Sequence, residues 1–377
     1  MITHICLVSA QAAANLLPAM APTLKPEQVI LVVSPKMKKQ AGFLTKVLTE
    51  SGIRVVTQPL SDEHDYRLME SELLELASAL EADEVTLNVT GGTKLMSLAA
   101  QKVAEVSEWK LFYVDVDTDR VIWLHRDAPP AQALTEQLRL RQYLQGYGFS
   151  LPHAPQGMQV TPARQQLIDT LLRQIGSLEA PLSQLNWLAQ IAEDKKCLNE
   201  DMNERQREPR SLEALLRHFE EAGCLKVERD CIQFCSEEDR DFVKGGWLEA
   251  HVFRSVVSLN KAKALGIRES AANLEVCNDQ GVKNELDVAF MARNRLFVIE
   301  CKTARMDKPE APKANDTLFK LAEIGQRIGG LGTHRMLASY RALGNSERML
   351  AKALGIELVC GTELLHLDEK IKAWVRV

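Results

Sequence analysis

Two neighbouring segments near the C-terminus carry the residue types and spacing that phosphodiester chemistry requires. Residues 284–291 (Asn-Glu-Leu-Asp-Val-Ala-Phe-Met) and 295–302 (Arg-Leu-Phe-Val-Ile-Glu-Cys-Lys) are separated only by Ala292, Arg293 and Asn294. Both read as strands joined by a short turn. Side chains alternate across a strand, so Glu285 and Asp287 share one face of the first, and Glu300 and Lys302 one face of the second. If those faces coincide, three carboxylates and an amine converge. Oxygen ligands such as Asp287 and Glu300 suit hard cations, Mg2+ or Mn2+. Such a cation holds a phosphate and acidifies a water. Lys302 is then placed to orient or activate that water and to offset charge developing on the phosphate. The carbonyl of Cys301 is a further candidate metal ligand that leaves its thiol unused. The competing reading is a pair of edge strands with solvated charges. Asp287, Glu300 and Lys302 interrupt apolar runs, however, and burying charge there without a use is costly.

A second candidate site lies at residues 88–97 (Asn-Val-Thr-Gly-Gly-Thr-Lys-Leu-Met-Ser). A strand ends in Gly91 and Gly92, and a helix begins near Thr93. Glycines let the backbone approach a ligand, and a helix start presents unpaired amides that favour an anion. Thr90, Thr93 and Lys94 add donors. The Gly-x-x-x-x-Gly-Lys spacing of a phosphate-binding Walker loop is absent. Taken locally, a glycine turn that merely caps a helix is an equal reading.

The elements that must position these residues follow from the apolar pattern. Through residue 127, strand-like runs (5–9, 29–34, 53–57, 85–89, 110–115, 120–125) alternate with amphipathic stretches (around Ala12–Leu17, 36–51, 64–80 and from Thr93). This order predicts a mostly parallel, doubly wound sheet closed by an antiparallel edge hairpin. Pro129-Pro130 ends the unit. A short helix over 134–147 and a Pro/Gly-rich stretch over 151–157 form a connector. Thr161-Pro162 starts a helix, Ser183 caps the next, and Ser211 begins another that ends at Gly223. Residues 225–229 and 232–235 form a hairpin. Helices followed by a hairpin describe a small winged-helix-like unit, read here as a connector rather than a DNA reader. After Ser236, a capping box with Asp239 opens a third unit with strands over 274–277, 285–291 and 295–302. The expected architecture is α/β throughout, with domains at 1–130, 131–236 and 237–377.

Composition sets limits. The chain has 377 residues, 46% apolar and 26% charged, which fits two or three globular domains. Its net charge of −5 does not point to nucleic-acid binding through bulk charge, so any phosphate contact must use local basic patches. No signal sequence or membrane-length apolar run is visible, so a soluble cytoplasmic protein with no membrane partner is expected. Eight cysteines in such a compartment read as reduced. His218, Cys224, Cys231 and Cys235 lack the paired short spacings of a structural zinc site.

The C-terminal segment resembles the PD-(D/E)xK, or restriction-endonuclease-like, nuclease superfamily. Asp287 matches its first acid and Glu300-Cys301-Lys302 its (D/E)-x-K, with Leu286 in place of the usual proline. That resemblance implies a further acid on a preceding helix, and Glu249 in Gly246-Trp247-Leu248-Glu249 fits. Lys320, Gln326 and Arg327, on an expected helix, are read as surface salt bridges or solvated polar groups. The N-terminal pattern, Asn88-x-Thr90-Gly91-Gly92-Thr93-Lys94-x-Met96 after an alternating unit, is similar to CARF (CRISPR-associated Rossmann fold) domains. Ser9, Gln11, Asn15 and Ser34 match places where that family contacts ligand. CARF domains bind cyclic oligoadenylates across a twofold dimer, and a symmetric site suits a cyclic repeating ligand. The two resemblances in this order, together with residues 138–149, look like the cyclic-tetraadenylate-activated CARF nucleases of type III CRISPR defence. They imply a homodimer that cuts single-stranded RNA, single-stranded DNA or both, with nicking of duplex plasmid DNA in some relatives. Two other readings compete: a ligand-responsive transcription regulator without nuclease activity, and a sensor domain that degrades its own messenger.

Overall fold

The apolar runs of the N-terminal third assemble into one sheet, in a computed structural model that describes all residues except 81–83, 126, 136–137, 208–209, 262–264, 305–312 and 377. Its elements are β1 (Ile2–Leu7), α1 (Ala13–Met20), β2 (Gln28–Val33), α2 (Lys38–Glu50), β3 (Arg54–Pro59), α3 (Tyr66–Ala79), β4 (Glu84–Asn88), α4 (Lys94–Val106), β5 (Lys110–Asp115), β6 (Arg120–Trp123) and β7 (Gln132–Ala133). The strand order is β3-β2-β1-β4-β5-β6-β7, parallel through β5 and antiparallel at β6 and β7. Helices cover both faces, which is why β2 is apolar and buried along nearly its whole length. Leu16, Leu17, Leu44 and Leu48 of α1 and α2 fill one face. Met69, Leu73, Met96 and Val103 of α3 and α4 fill the other. The chain therefore reverses its winding between β1 and β4.

The middle of the chain departs further from the sequence reading. The helix expected over 134–147 is shorter, α5 (Leu140–Gly146), because the Leu134 amide extends the pairing of β7 by donating to the Asp119 carbonyl and the Leu138 amide donates to the Asn294 side chain. Residues 136 and 137 lie outside the described set. β8 (Phe149–Ser150) then joins the C-terminal sheet, and Gln156 accepts a hydrogen bond from the Ala272 amide. The stretch read as a free connector is thus partly stitched to the C-terminal domain. Thr161 caps α6 (Pro162–Arg173), accepting from the Arg164 amide, as expected. Ser183 caps nothing: α7 (Ile175–Asp194) runs through it. Leu178, Leu182, Leu185, Leu188 and Ala192 keep one buried stripe across that point, and burial of the stripe outweighs a local stop signal.

β9 (Asn199–Asp201) and α8 (Glu204–Arg207) follow. Ser211 is the second residue of α9 (Arg210–Glu221), while residues 208–209 lie outside the described set. Gly223, with φ 72°, does end that helix. β10 (Leu225–Glu228) and β11 (Cys231–Phe234) form the expected hairpin, and β9 adds a third strand to it.

The last part contains α10 (Glu237–Asp241), a π-helical turn (Phe242–Gly246), α11 (Trp247–Lys261), β12 (Ile267–Asn278), β13 (Lys283–Ala292), β14 (Arg295–Lys302), α12 (Lys313–Gly329), β15 (Thr333–Ser339), α13 (Asn345–Ala353), β16 (Ile356–Cys360) and α14 (Leu367–Arg376). Its sheet runs β16-β15-β14-β13-β12-β8, with β14, β15 and β16 parallel and the rest antiparallel. Both faces are covered. Val288, Phe290, Phe297 and Ile299 share a core with the middle helices, α11 and α14. Ala289, Met291, Leu296 and Val298 share one with α5, α12 and the α1–α2 face of the first sheet. Among the described residues, no helix is long and apolar enough to cross a membrane.

Candidate active site and ligand pocket

The catalytic candidates meet where β13 and β14 part. Their paired register runs from Ala292 opposite Arg295 to Val288 opposite Ile299 and then stops. One step beyond, the Asp287 carboxylate takes over the role of the ladder, accepting a hydrogen bond from the Cys301 amide at 2.7 Å. Strict alternation is also broken at this point. Leu286 packs with Ala289 and Met291 although period two would place it with Val288. On β12, between the Ala272–Val288 and Leu274–Leu286 pairs, Asn273 adopts φ 49°, a left-handed conformation that asparagine tolerates. Asp287, Glu285, Cys301 and Lys302 nevertheless line one cavity of about 690 Å³, together with Glu249 from the first turn of α11. Glu300 joins through Lys302, whose Nζ lies 2.5 Å from Glu300 Oε1. All four proposed catalytic side chains, Glu249, Asp287, Glu300 and Lys302, are therefore in one group.

The electrostatics of the group are those of crowded acids. Burial, reinforced by Glu300, raises the Asp287 carboxyl well above its ordinary range. Burial and the charge of Glu285 push Glu249 up to about 7. Burial alone would lower the Lys302 ammonium, but Glu300 and Asp287 beside it outweigh that and hold it raised, hence charged. The Cys301 thiol is buried and raised well above its usual value, so it stays neutral and offers no thiolate. Among the described residues, no three His, Cys, Asp or Glu side chains stand as a ready-made metal cage. Here Asp287 is engaged by an amide and Glu300 by Lys302. The donor chemistry still fits a hard divalent cation. Glu249, Glu285, Asp287 and Glu300 crowd around Lys302, and Glu249 and Asp287 are reluctant to ionise without a further positive charge.

Sequence reasoning missed the opposite wall of the cavity. Arg164 of α6, Gln190 and Glu193 of α7, and Lys244 of the π-turn all line it. The available signal was Gly245-Gly246, a glycine pair interrupting a helical stretch just before Glu249. Lys320 and Gln326 are exposed, and Arg327 pairs with Glu323 on its own helix at 3.5 Å, a surface arrangement.

The N-terminal candidates gather at the carboxyl ends of β1, β2 and β4, around the point where the winding reverses. Open α/β sheets bind ligands in that crevice. Gly91 is packed so closely that a Cβ would lie 2.1 Å from the Leu7 carbonyl oxygen, and Gly92 adopts φ 74°. Thr93 caps α4, accepting from the Met96 amide at 3.2 Å, and Lys94 is exposed at its first turn. Ser9 accepts from the Gln11 amide. Three of the expected contacts are occupied by the scaffold. Asn15 is buried, donating to the Leu7 carbonyl and accepting from Asn88. The Thr90 hydroxyl donates to Asn88 at 2.6 Å and accepts from the Val114 amide at 2.7 Å, tying β4 to β5. Ser34 is buried and bonds Glu63, whose carboxyl Lys36 and Ser34 hold below its ordinary value.

Comparison with known proteins decides the family of each half. Residues 3–143 match the Card1 CARF domain, and residues 236–377 match the Card1-like endonuclease domain. The chain joins a CARF domain to a Card1-like endonuclease domain. A CARF nuclease of this arrangement has solved relatives of the same length. Protein VC1899 from Vibrio cholerae superposes with a TM-score of 0.88 at 25% identity, over 100% of this chain and 98% of that one. Can2 from Sulfobacillus thermosulfidooxidans, solved in complex with cyclic tetra-adenylate, superposes with a TM-score of 0.83 at 25% identity, over the whole of both chains. A type III CRISPR defence DNA nuclease activated by cyclic oligoadenylate shares the fold, with a TM-score of 0.57 at 18% identity over 91% of this chain and 46% of that one. No curated protein sequence matches the chain.

Proposed function

We propose that this CARF nuclease is a homodimeric, cyclic-tetraadenylate-activated, metal-dependent endonuclease of type III CRISPR defence. Its substrates are single-stranded RNA, single-stranded DNA or both, with nicking of supercoiled plasmid DNA as a further activity. The single observation that carries this reading is the convergence of Glu249, Asp287 and Lys302 on one open cavity, with Glu300 paired to Lys302, in a chain that also carries a CARF domain. Asp287, Glu300 and the carbonyl of Cys301 would hold Mn2+ or Mg2+. When bound, such a cation supplies Lewis-acid polarisation of the phosphate and an acidified water. The chain's own groups do the rest. Asp287 lines the cavity with one carboxylate oxygen fixed by the Cys301 amide. Lys302 stays protonated and stabilises charge building on the phosphate. Glu249, poised near 7, accepts or returns a proton at its carboxylate close to neutral pH.

At the sensor, Ser9, Gln11, Lys94 and the glycine-turn amides of Gly91, Gly92 and Thr93 contact the messenger. Asn15, Ser34 and Thr90 shape the crevice from behind. A second copy closes the site. Leu95 and Leu98 of α4, 40% and 56% exposed beside Lys94, give the apolar surface for it. The relative solved with cyclic tetra-adenylate supports the choice of messenger.

Asp287→Ala and Lys302→Ala test the assignment. Each should lower messenger-stimulated cutting by at least ~100-fold while messenger affinity stays unchanged. Unchanged cutting in either variant would remove the nuclease chemistry from this site.

A further inference from the structure

The residue after Lys302 ties together the two arms that carry the catalytic group. Thr303 is buried, and its hydroxyl donates to the Lys244 carbonyl at 3.0 Å. Lys244 lies in the π-turn that leads directly into α11 and Glu249. The approach is close: a Cβ on Gly245 would sit 3.1 Å from the Thr303 hydroxyl. The same hydroxyl accepts a hydrogen bond at 3.0 Å from Asn186, a buried residue of α7 in the middle unit. Among the described residues, the Asn186 side-chain oxygen has no hydrogen-bond partner. Seven residues on, and so on the same side of α7, Glu193 pairs with Lys244 at 2.6 Å and is itself held by Gln190. Two separate contacts from one face of α7 thus grip the end of β14 and the start of α11.

We infer that Thr303 and Asn186 are positioning residues of the nuclease reaction. They fix Lys302 relative to Glu249, so that the middle unit completes the active site and is not a separable DNA-reading module. A hydroxyl that donates to one arm and accepts from a third element sets their spacing. A misplacement of about an ångström between reacting groups costs ~100-fold in rate. The inference rests on the assignment of Lys302 and Glu249 to catalysis.

The test uses the full-length protein with saturating messenger and Mn2+. Thr303→Val keeps the shape and loses the hydroxyl, whereas Thr303→Ser keeps the hydroxyl. Thr303→Val should lower kcat by ~10–100-fold with KM within about twofold, and Thr303→Ser should stay within about threefold of the parent. Asn186→Leu should lower kcat in the same way, and the double variant with Thr303→Val should be no worse than the poorer single one. Parental kcat in Thr303→Val would overturn the inference. So would Thr303→Ser failing as badly as Thr303→Val, or a loss of thermal stability and messenger affinity in step with kcat. Lys302→Ala, run alongside, separates the two levels. If it cuts normally the site assignment fails, and if it is dead while Thr303→Val is active only the positioning role fails.

Discussion

At the scale of single residues, the site crowds carboxyls that resist joint ionisation, an opposition that a bound divalent cation would relieve. Glu249 has its carboxyl raised from 4.5 to about 7 by burial and by Glu285. An acid whose native pKa lies above its unfolded one holds more protons when folded. Its stabilising contribution is therefore complete below pH 4.5 and is lost as pH rises through about 7. In the absence of metal, Glu249→Gln should be more stable than the parent at pH 8 by on the order of 2 kcal/mol, with no difference near pH 4. Denaturant titrations at the two pH values check this. By the same linkage, cation affinity should rise with pH through about 7, because a cation held beside Glu249 favours its ionised form. Asp287, Glu300 and Lys302 were legible in the sequence because each interrupts an apolar run that a strand would bury. Thr303, Asn186 and Lys244 were not. Their importance comes from hydrogen bonds between segments far apart in sequence, and no local pattern encodes such a pairing.

Among the elements, strands and helix starts were read well where the chemistry is local. The parallel order, the Thr161 and Ser236 caps and the β10–β11 hairpin rest on alternation, capping residues and turn residues, all within a few positions. Ser183 and the helix over 134–147 were misread because distant burial and a distant strand partner decided them. The glycine turn after β4 was legible as a turn, but its need for glycine became clear only from Leu7. Gly91→Ala would place a Cβ 2.1 Å from the Leu7 carbonyl oxygen. That variant should be destabilised by ~2 kcal/mol or more and should lose most messenger affinity. Gly42→Ala in α2 has nothing within 4 Å of its new Cβ. It should gain ~0.5–1 kcal/mol, as expected for alanine in an open helical position. Thermal melts and messenger titrations of the pair measure both effects.

In the whole molecule, sensor and nuclease are packed into one another within a single chain. Gln11, at the end of β1, lies against the turn that follows α12: a Cβ on Gly330 would sit 2.8 Å from its amide nitrogen. Tyr147 donates to the Gln11 side-chain oxygen at 3.3 Å, and Tyr143, whose ring centroid lies 5.1 Å from that of Tyr147, donates to the Gly329 carbonyl at 3.0 Å. That turn leads into β15, which pairs with β14 along its whole length up to Lys302. Were the messenger to contact Gln11 as proposed, it would act on a packed chain of contacts that ends at the strand carrying Lys302. Tyr147→Phe removes one such bond. The ratio of cutting with messenger to cutting without it should fall about fivefold, with messenger affinity little changed. Activation curves beside direct binding curves would show it. None of this was visible in the sequence, where residues 138–149 read only as a connector.

The most direct test of the central claim offers the purified protein labelled single-stranded RNA, labelled single-stranded DNA and supercoiled plasmid. Each is supplied with Mn2+ or Mg2+ or neither, and with or without cyclic tetraadenylate. The account predicts cutting of at least one substrate only where metal and messenger are both present. Cutting that ignores the messenger, or none under any condition while the messenger still binds tightly, would contradict it.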